Sequence, residues 1–211
     1  MLRDDAPMHD VPASASDHPA TWKFDYPIFH AETRAAWRAW LAANHAELPG
    51  VWLASWKRGT GRPAVPYEEA VEEALCFGWI DSTVNTLDEE RGLQLMTPRR
   101  PRSGWTRLNR QRVARLEAAG LMTEAGRRAV AVAQENGWWT ISDSVEDLVE
   151  PDDLGTALDE VPAAREHWDG FPPSARKQML WTLVTASKPE TRAKRIAKIV
   201  AEAAEGRRAA G

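Results

Sequence analysis

A run of arginines without a single acidic residue occupies positions 92–116 of a chain whose formal net charge is −4. Guanidinium groups present a planar fork of donors that matches carboxylates and phosphates. Crowding like charges costs free energy unless anions lie close by. The run therefore predicts either internal pairing with the protein's own carboxylates or a site for an anionic ligand. Its members are Arg99, Arg100, Arg102, Arg107, Arg110, Arg112 and Arg115.

Asp81 is the acidic residue best placed for either role. It follows Gly78-Trp79-Ile80, where a helical pattern gives way to a strand, and a neighbouring tryptophan can perturb the pKa of a carboxyl group. Residues 79–97 read as a β-hairpin, and the loop length places Asp81 opposite Arg99, within about one residue. Asp81 is thus expected either to form an ion pair with an arginine that fixes the hairpin or to act as an acid or base.

The second half of the arginine run reads as a helix over 106–119, with Thr106 as its N-cap. At 100° per residue, Asn109 and Arg112 share the inward face with the apolar side chains. Buried polar groups need partners, because an unsatisfied one costs ~1–3 kcal/mol. Either both side chains bond neighbouring carbonyls, or they line an anion site near the helix N-terminus. The outward-facing arginines are Arg107, Arg110 and Arg115.

These outward arginines keep a third function open, in which the basic helix 106–119 contacts a nucleic acid or a partner protein. No nucleic-acid-binding motif accompanies them. Residues 141–164 hold eight acids and no Lys or Arg, and these carboxylates compete for the same arginines. Nucleic-acid binding is accordingly the less favoured function, and the acidic stretch is a candidate internal partner of the basic helix.

Apolar periodicity predicts an α+β fold with a small antiparallel β-sheet and helices in the N-terminal lobe, and a mainly helical C-terminal lobe. We expect residues 1–20, rich in Asp, Pro, Ser and Ala, to form a disordered tail. The α+β lobe is predicted over 21–125, with the β-hairpin at 79–97, and the helical lobe over 126–211, packed on the first. Eleven tryptophans predict an aromatic core, and some could instead line a cleft.

Several kinds of chemistry find no support in the sequence. A single cysteine, Cys76, excludes an internal disulfide and reads as a buried hydrophobe. His30, His45 and His167 lack metal-ligand spacing, and neither a nucleophile elbow nor a phosphate-binding or dinucleotide fingerprint occurs. We therefore expect no metal and no cofactor. Without a membrane-spanning run or a signal peptide, the chain is expected to be cytoplasmic and not inserted in a membrane.

Four segments of the chain carry a family resemblance: Ala74–Ser82, Thr97–Arg110 (Thr97, Pro98, Arg99, Arg100, Ser103, Trp105, Asn109 and Arg110), Arg115–Thr123 and Lys188–Ile196. Together they resemble the bacterial bacteriocin-protection family, also described as YdeI or OmpD-associated, over roughly residues 25–206. The resemblance implies a role in tolerance of bacteriocins or cationic peptides and an association with a porin, and it carries no catalytic residue. It makes the matching polar and aromatic positions site candidates.

The favoured hypothesis is a protein that binds a small anionic or peptide-like ligand in a cleft between the lobes, in a stress or antimicrobial-tolerance role. Arg99 and Arg100 would clamp the anion, Trp79 and Trp105 would form the wall, and Asp81 with Asn109 would orient the ligand. The alternatives are an enzyme that uses Asp81 in the same cleft, and the basic-helix binder. The full set of candidates is Trp79, Asp81, Arg99, Arg100, Trp105, Asn109, Arg112, Lys188, Arg192 and Arg195.

Overall fold

The computed structural model describes residues 26–209, so the predicted tail at 1–20 lies outside the described residues. The described chain forms two compact units. The first comprises the residues up to Ser103 together with Arg110–Glu135, and the second comprises Gly104–Asn109 and the residues from Asn136 onward.

The first unit contains a four-stranded sheet in the order β1-β2-β4-β3, formed by β1 (Ile28–His30), β2 (Val51–Trp56), β3 (Trp79–Thr86) and β4 (Arg91–Pro98). Strands β2, β4 and β3 are antiparallel neighbours, whereas β1 pairs with β2 in parallel. The predicted α+β class is confirmed. The sheet is mixed rather than purely antiparallel because of β1, which at three residues is too short to show an alternating pattern.

Two helices precede the hairpin in this unit, α1 (Arg34–Asn44) and α2 (Tyr67–Cys76). Thr33 caps α1 by accepting a hydrogen bond from the Ala36 amide at 3.1 Å. The indole of Trp37 donates to the Ala70 carbonyl at 3.0 Å, which joins α1 to α2 inside the core. Helix α2 ends at Cys76. Gly78 follows the C-cap, and its φ of +75° suits glycine and redirects the chain into β3.

Two further helices follow the arginine-rich turn, α3 (Arg107–Ala118) and α4 (Glu124–Glu135). The predicted N-cap of α3 is confirmed, because the Thr106 hydroxyl accepts from the Asn109 amide at 3.2 Å. The boundary between the two compact units cuts α3 after Asn109. Helix α4 contacts α2 at Gly126, where a side chain would meet the backbone of Cys76.

The second unit is helical, with α5 (Asp143–Glu146), α6 (Asp152–Asp159), α7 (Pro162–Gly170), α8 (Pro173–Val184) and α9 (Pro189–Ala204). Its core is built from apolar side chains that recur at helical spacing on α6, α8 and α9. Trp105 is also buried in this unit, where its ring contacts that of Trp139 with the centroids 5.0 Å apart.

The register of the β3–β4 hairpin differs from the sequence prediction. Asp81 lies opposite Met96 rather than Arg99. Two local features set the observed register. Asp88 accepts hydrogen bonds from the amides of Glu90 and Arg91, which tightens the turn, and the pairing shifts between Asp81 and Val84. The predicted cross-strand neighbour of Asp81 is therefore wrong.

Candidate functional site

A cleft of about 490 Å³ opens on one face of the sheet in the first unit. Its floor is formed by side chains of β2 and β4 that share this face, Leu53, Gln94 and Met96. The loop before α2 and the first turn of α2, which begins at Tyr67, form one wall. We call this the sheet-face cleft. Its volume lies within the range of ligand pockets, about 300–1,000 Å³.

Trp56, at the end of β2, also lines the cleft, and its ring is held by several contacts. Its indole N–H donates to the Glu32 carboxylate at 3.1 Å. The guanidinium of Arg62 lies over the ring, 4.2 Å from its centroid, and that of Arg91 lies 5.4 Å from it. Cation–π contacts of this kind fix the ring plane, so Trp56 presents a defined surface to the cleft.

Tyr67 and Asp81 form a hydrogen-bonded pair at the edge of the cleft. The Tyr67 hydroxyl donates to Asp81 Oδ2 at 2.7 Å. Burial, together with the hydrogen bond and charge of Asp81, raises the pKa of Tyr67 to about 12, while the positive charge of Arg112 acts in the opposite direction. Tyr67 therefore stays protonated at neutral pH and serves as a donor rather than as a base.

Arg99 lies within electrostatic reach of the same carboxylate. Desolvation lowers the pKa of Arg99 to about 10, and the charge of Asp81 partly offsets that effect. One Arg99 nitrogen, Nη1, donates to the Ser103 hydroxyl at 3.2 Å, and the Arg99 amide donates to the Gly78 carbonyl at 2.9 Å. Three predicted site residues, Asp81, Arg99 and Arg112, thus belong to one electrostatic cluster around Tyr67.

Four further predicted site residues differ in their exposure. Trp79 is only 1% exposed, and its indole donates to the His45 carbonyl at 3.3 Å. Trp105 is likewise 1% exposed, so neither ring forms an open wall. Arg100 is exposed in the turn after β4, and its carbonyl accepts from the Ser103 amide. Asn109 is half-buried in the first turn of α3.

The three candidate site residues of the segment 188–196 lie at the N-cap and in the first two turns of α9. Lys188 is exposed at the N-cap position. Arg192 forms an ion pair with Asp153, with Nε 2.6 Å from Oδ2, and also donates to the Leu183 carbonyl at 3.1 Å. Arg195 donates to the Thr182 carbonyl. Both arginines satisfy carbonyls in the last turn of α8, which favours a structural role. Their part in ligand binding stays a prediction.

Two of the outward arginines of α3 have carboxylate partners. Arg107 forms a bidentate pair with Asp147, with nitrogen–oxygen distances of 3.0–3.1 Å, and its amide donates to Glu146 at 3.0 Å. Arg115 pairs with Glu72. Part of the acidic stretch therefore does neutralise the basic helix, as one of the two interpretations of the arginine run requires.

A buried ionic group in the first unit was not predicted from the sequence. Glu73 is 2% exposed and accepts hydrogen bonds from Arg34 Nε and Arg38 Nη1, each at 2.6 Å. A second Arg38 nitrogen donates to the Leu121 carbonyl at 2.8 Å, and the hydrogen bond that Arg34 donates to Glu73 raises the pKa of Arg34. The sequence does place Glu73 three residues after Ala70, and this spacing puts the carboxylate on the inward face of α2.

Two family models match separate parts of the chain. Residues 29–129 match a domain of unknown function, DUF8412. Residues 147–206 match the family described as bacteriocin-protection, YdeI or OmpD-associated. The family resemblance is confirmed over residues 147–206. Each match covers less than half of the chain. The resemblance motifs around Asp81 and Arg99 lie within the other match, to the domain of unknown function. No curated protein and no solved structure matches the chain.

Two further properties of residues 26–209 bear on function. None of the helices in this part of the chain combines the length and the apolar character needed to cross a membrane. Within the same residues, no group of three or more His, Cys, Asp or Glu side chains is placed to hold a metal ion.

Proposed function

We propose that the protein is a binding protein whose sheet-face cleft takes a short peptide-like ligand with an apolar side chain and a carboxylate. The observation that supports this most is the cleft itself, about 490 Å³, whose lining combines the apolar side chains of Leu53 and Met96 with the aromatic rings of Trp56 and Tyr67. Ligand pockets commonly combine such a lining with a few polar groups that fix orientation. The family description suggests a role in protection against bacteriocins.

The charges at the edge of the cleft suit a ligand with groups of both signs. Arg58 and Glu68 line it and are exposed, so a carboxylate and an amine of one ligand each find a partner. Tyr67 and Asp81 would orient the ligand at one end. Arg99 and Arg112, which act electrostatically on this pair, would maintain the local charge balance.

Binding accounts for this geometry better than catalysis with Asp81. The group hydrogen-bonded to Asp81 is a tyrosine with a pKa of about 12, far from the near-neutral value that suits a general base or acid. The basic-helix hypothesis is weakened because Arg107 and Arg115 are engaged by carboxylates.

Isothermal titration with a panel of di- and tripeptides, each with a free or an amidated C-terminus, tests the proposal. We expect binding that requires the free carboxylate and weakens at least about tenfold in Arg58→Ala and in Tyr67→Ala, because a hydrogen bond to a charged group contributes ~1.5–3 kcal/mol. Arg128→Ala is the matched control, since Arg128 is exposed on α4 and does not line the cleft. Unchanged affinity in both cleft variants, or no binding by any peptide, would refute the proposal.

A further inference from the structure

The second unit carries an apolar groove of about 740 Å³ along α9. One wall is α9 itself, with Ala193, Ala197, Val200 and Ala201 facing the groove, and the other includes Ala157 and Val161. The ion pair of Arg192 with Asp153 closes one end. Ala193, Ala197 and Ala201 are exposed, so the described residues leave this apolar surface open to water.

Any helix that fills the groove must match the charges on its flank. Lys194, in the second turn of α9, and Glu205, at its C-cap, are both exposed. At 100° per residue they fall within about 20° of each other around the helix. A fitting helix therefore needs an apolar stripe of small residues, an acid opposite Lys194 and a base opposite Glu205.

A second copy of α9 that runs antiparallel to the first meets this description. An antiparallel second copy of α9 places Glu205 of one copy beside Lys194 of the other, and the twofold axis repeats the pair. The small side chains at positions 193, 197 and 201 let two helix surfaces approach closely. We propose that the groove is a self-association surface in which α9 of a second copy of this chain lies antiparallel to α9 across a twofold axis.

The length of α9 limits the strength of this contact. Sixteen residues span about 24 Å at 1.5 Å per residue, so a single helix pair buries less than the ~800 Å² per partner of a standard stable interface. The dimer is therefore expected to dissociate in the micromolar range or above. The inference concerns the second unit only and does not depend on the proposed peptide ligand.

Sedimentation velocity of the full chain, from about 10 μM to about 1 mM, tests the proposal. The average mass should rise with concentration from the 23.5 kDa of one chain towards twice that value. Ala197→Glu, which places a charge on the exposed apolar stripe, should abolish the rise. Lys194→Glu and Glu205→Lys should each raise the dissociation constant at least tenfold, and the double reversal Lys194→Glu/Glu205→Lys should restore dimerisation.

Arg128→Glu supplies a control that changes the net charge by the same amount as Lys194→Glu at an exposed position in the other unit. It should dimerise like the wild type. The proposal is overturned by a mass of one chain at every concentration, by association that persists in Ala197→Glu, or by a double reversal that associates more weakly than either single variant. The last result would show that Lys194 and Glu205 do not face each other.

Discussion

Replacing the buried carboxylate of Glu73 by an amide should destabilise the first unit. In the Glu73→Gln variant, two hydrogen bonds between oppositely charged groups at 2.6 Å are lost, each contributing ~1.5–3 kcal/mol, and the amide oxygen restores one weaker bond of ~1 kcal/mol from a guanidinium. The side chains of Arg34 and Arg38 are 34% and 33% exposed, so water compensates part of the loss. We therefore expect the free energy of unfolding of this unit to fall by about 2–3 kcal/mol.

Native-state hydrogen exchange of the α2 amides is the suitable assay, because it reports on this unit alone. A loss of about 2–3 kcal/mol accelerates exchange through unfolding by about 30- to 150-fold. Glu124→Gln is the control, since that carboxylate is 84% exposed and its removal should change exchange less than about threefold. If amide exchange in Glu73→Gln were no faster than in Glu124→Gln, the buried ionic group of Glu73, Arg34 and Arg38 would contribute no net stability, and the prediction would be refuted.

Two further predictions concern the same unit. Asp81→Asn should lower the pKa of Tyr67 from about 12 towards its ordinary value of ~10. Absorbance titration of the tyrosinate should show the shift, and an unmoved transition would contradict the Tyr67–Asp81 pair. Because the folded-state pKa is raised, the stabilisation from Tyr67 is complete below pH ~10 and is lost as the pH rises through about 12. Gly126→Ala should cost ~1–3 kcal/mol, since its Cβ would lie 2.8 Å from the Cys76 carbonyl carbon. Calorimetry should show a lower melting temperature than in Gly59→Ala, where a Cβ meets no atom within 4 Å, and equal melting temperatures would contradict the close packing.

Helix boundaries were predictable wherever a short polar residue caps the first turn. Thr106 and Thr123 each accept an amide hydrogen bond three residues later, which is a local interaction that sequence spacing encodes. The strands of the hairpin were predictable for the same reason, since alternation is local.

The register of the hairpin was not predictable from loop length alone. It depends on the turn built by Asp88 and on the irregular pairing between Asp81 and Val84. A small change in either feature alters every cross-strand neighbour, and with it the partner of Asp81. The actual partner, Tyr67, comes from α2, and no pattern within the strands points to it.

The sequence predicted a cleft between the lobes, whereas the sheet-face cleft lies within the first unit. Trp79 and Trp105 were expected to line the predicted cleft and are buried, and it is Trp56 that lines the sheet-face cleft. Trp56 and Trp79 both lie near apolar residues, whereas Trp105 lies among arginines and is nevertheless buried. The surrounding composition therefore does not separate a buried indole from an exposed one. The buried ionic group of Glu73 was not predicted either, because its two arginine partners lie 35 and 39 residues away in the sequence, on another helix.

The path of the chain has a consequence for experiments with fragments. Residues 104–109 belong to the second unit although residues on both sides belong to the first. Within that short piece, Trp105 packs on Trp139, its carbonyl accepts from Ser142 at 2.7 Å, and Arg107 pairs with Asp147. A fragment that begins at Asn136 lacks all three interactions and exposes the surface that Trp105 covers. Excising the helical unit therefore requires the peptide 104–109 to be supplied in trans or fused by circular permutation.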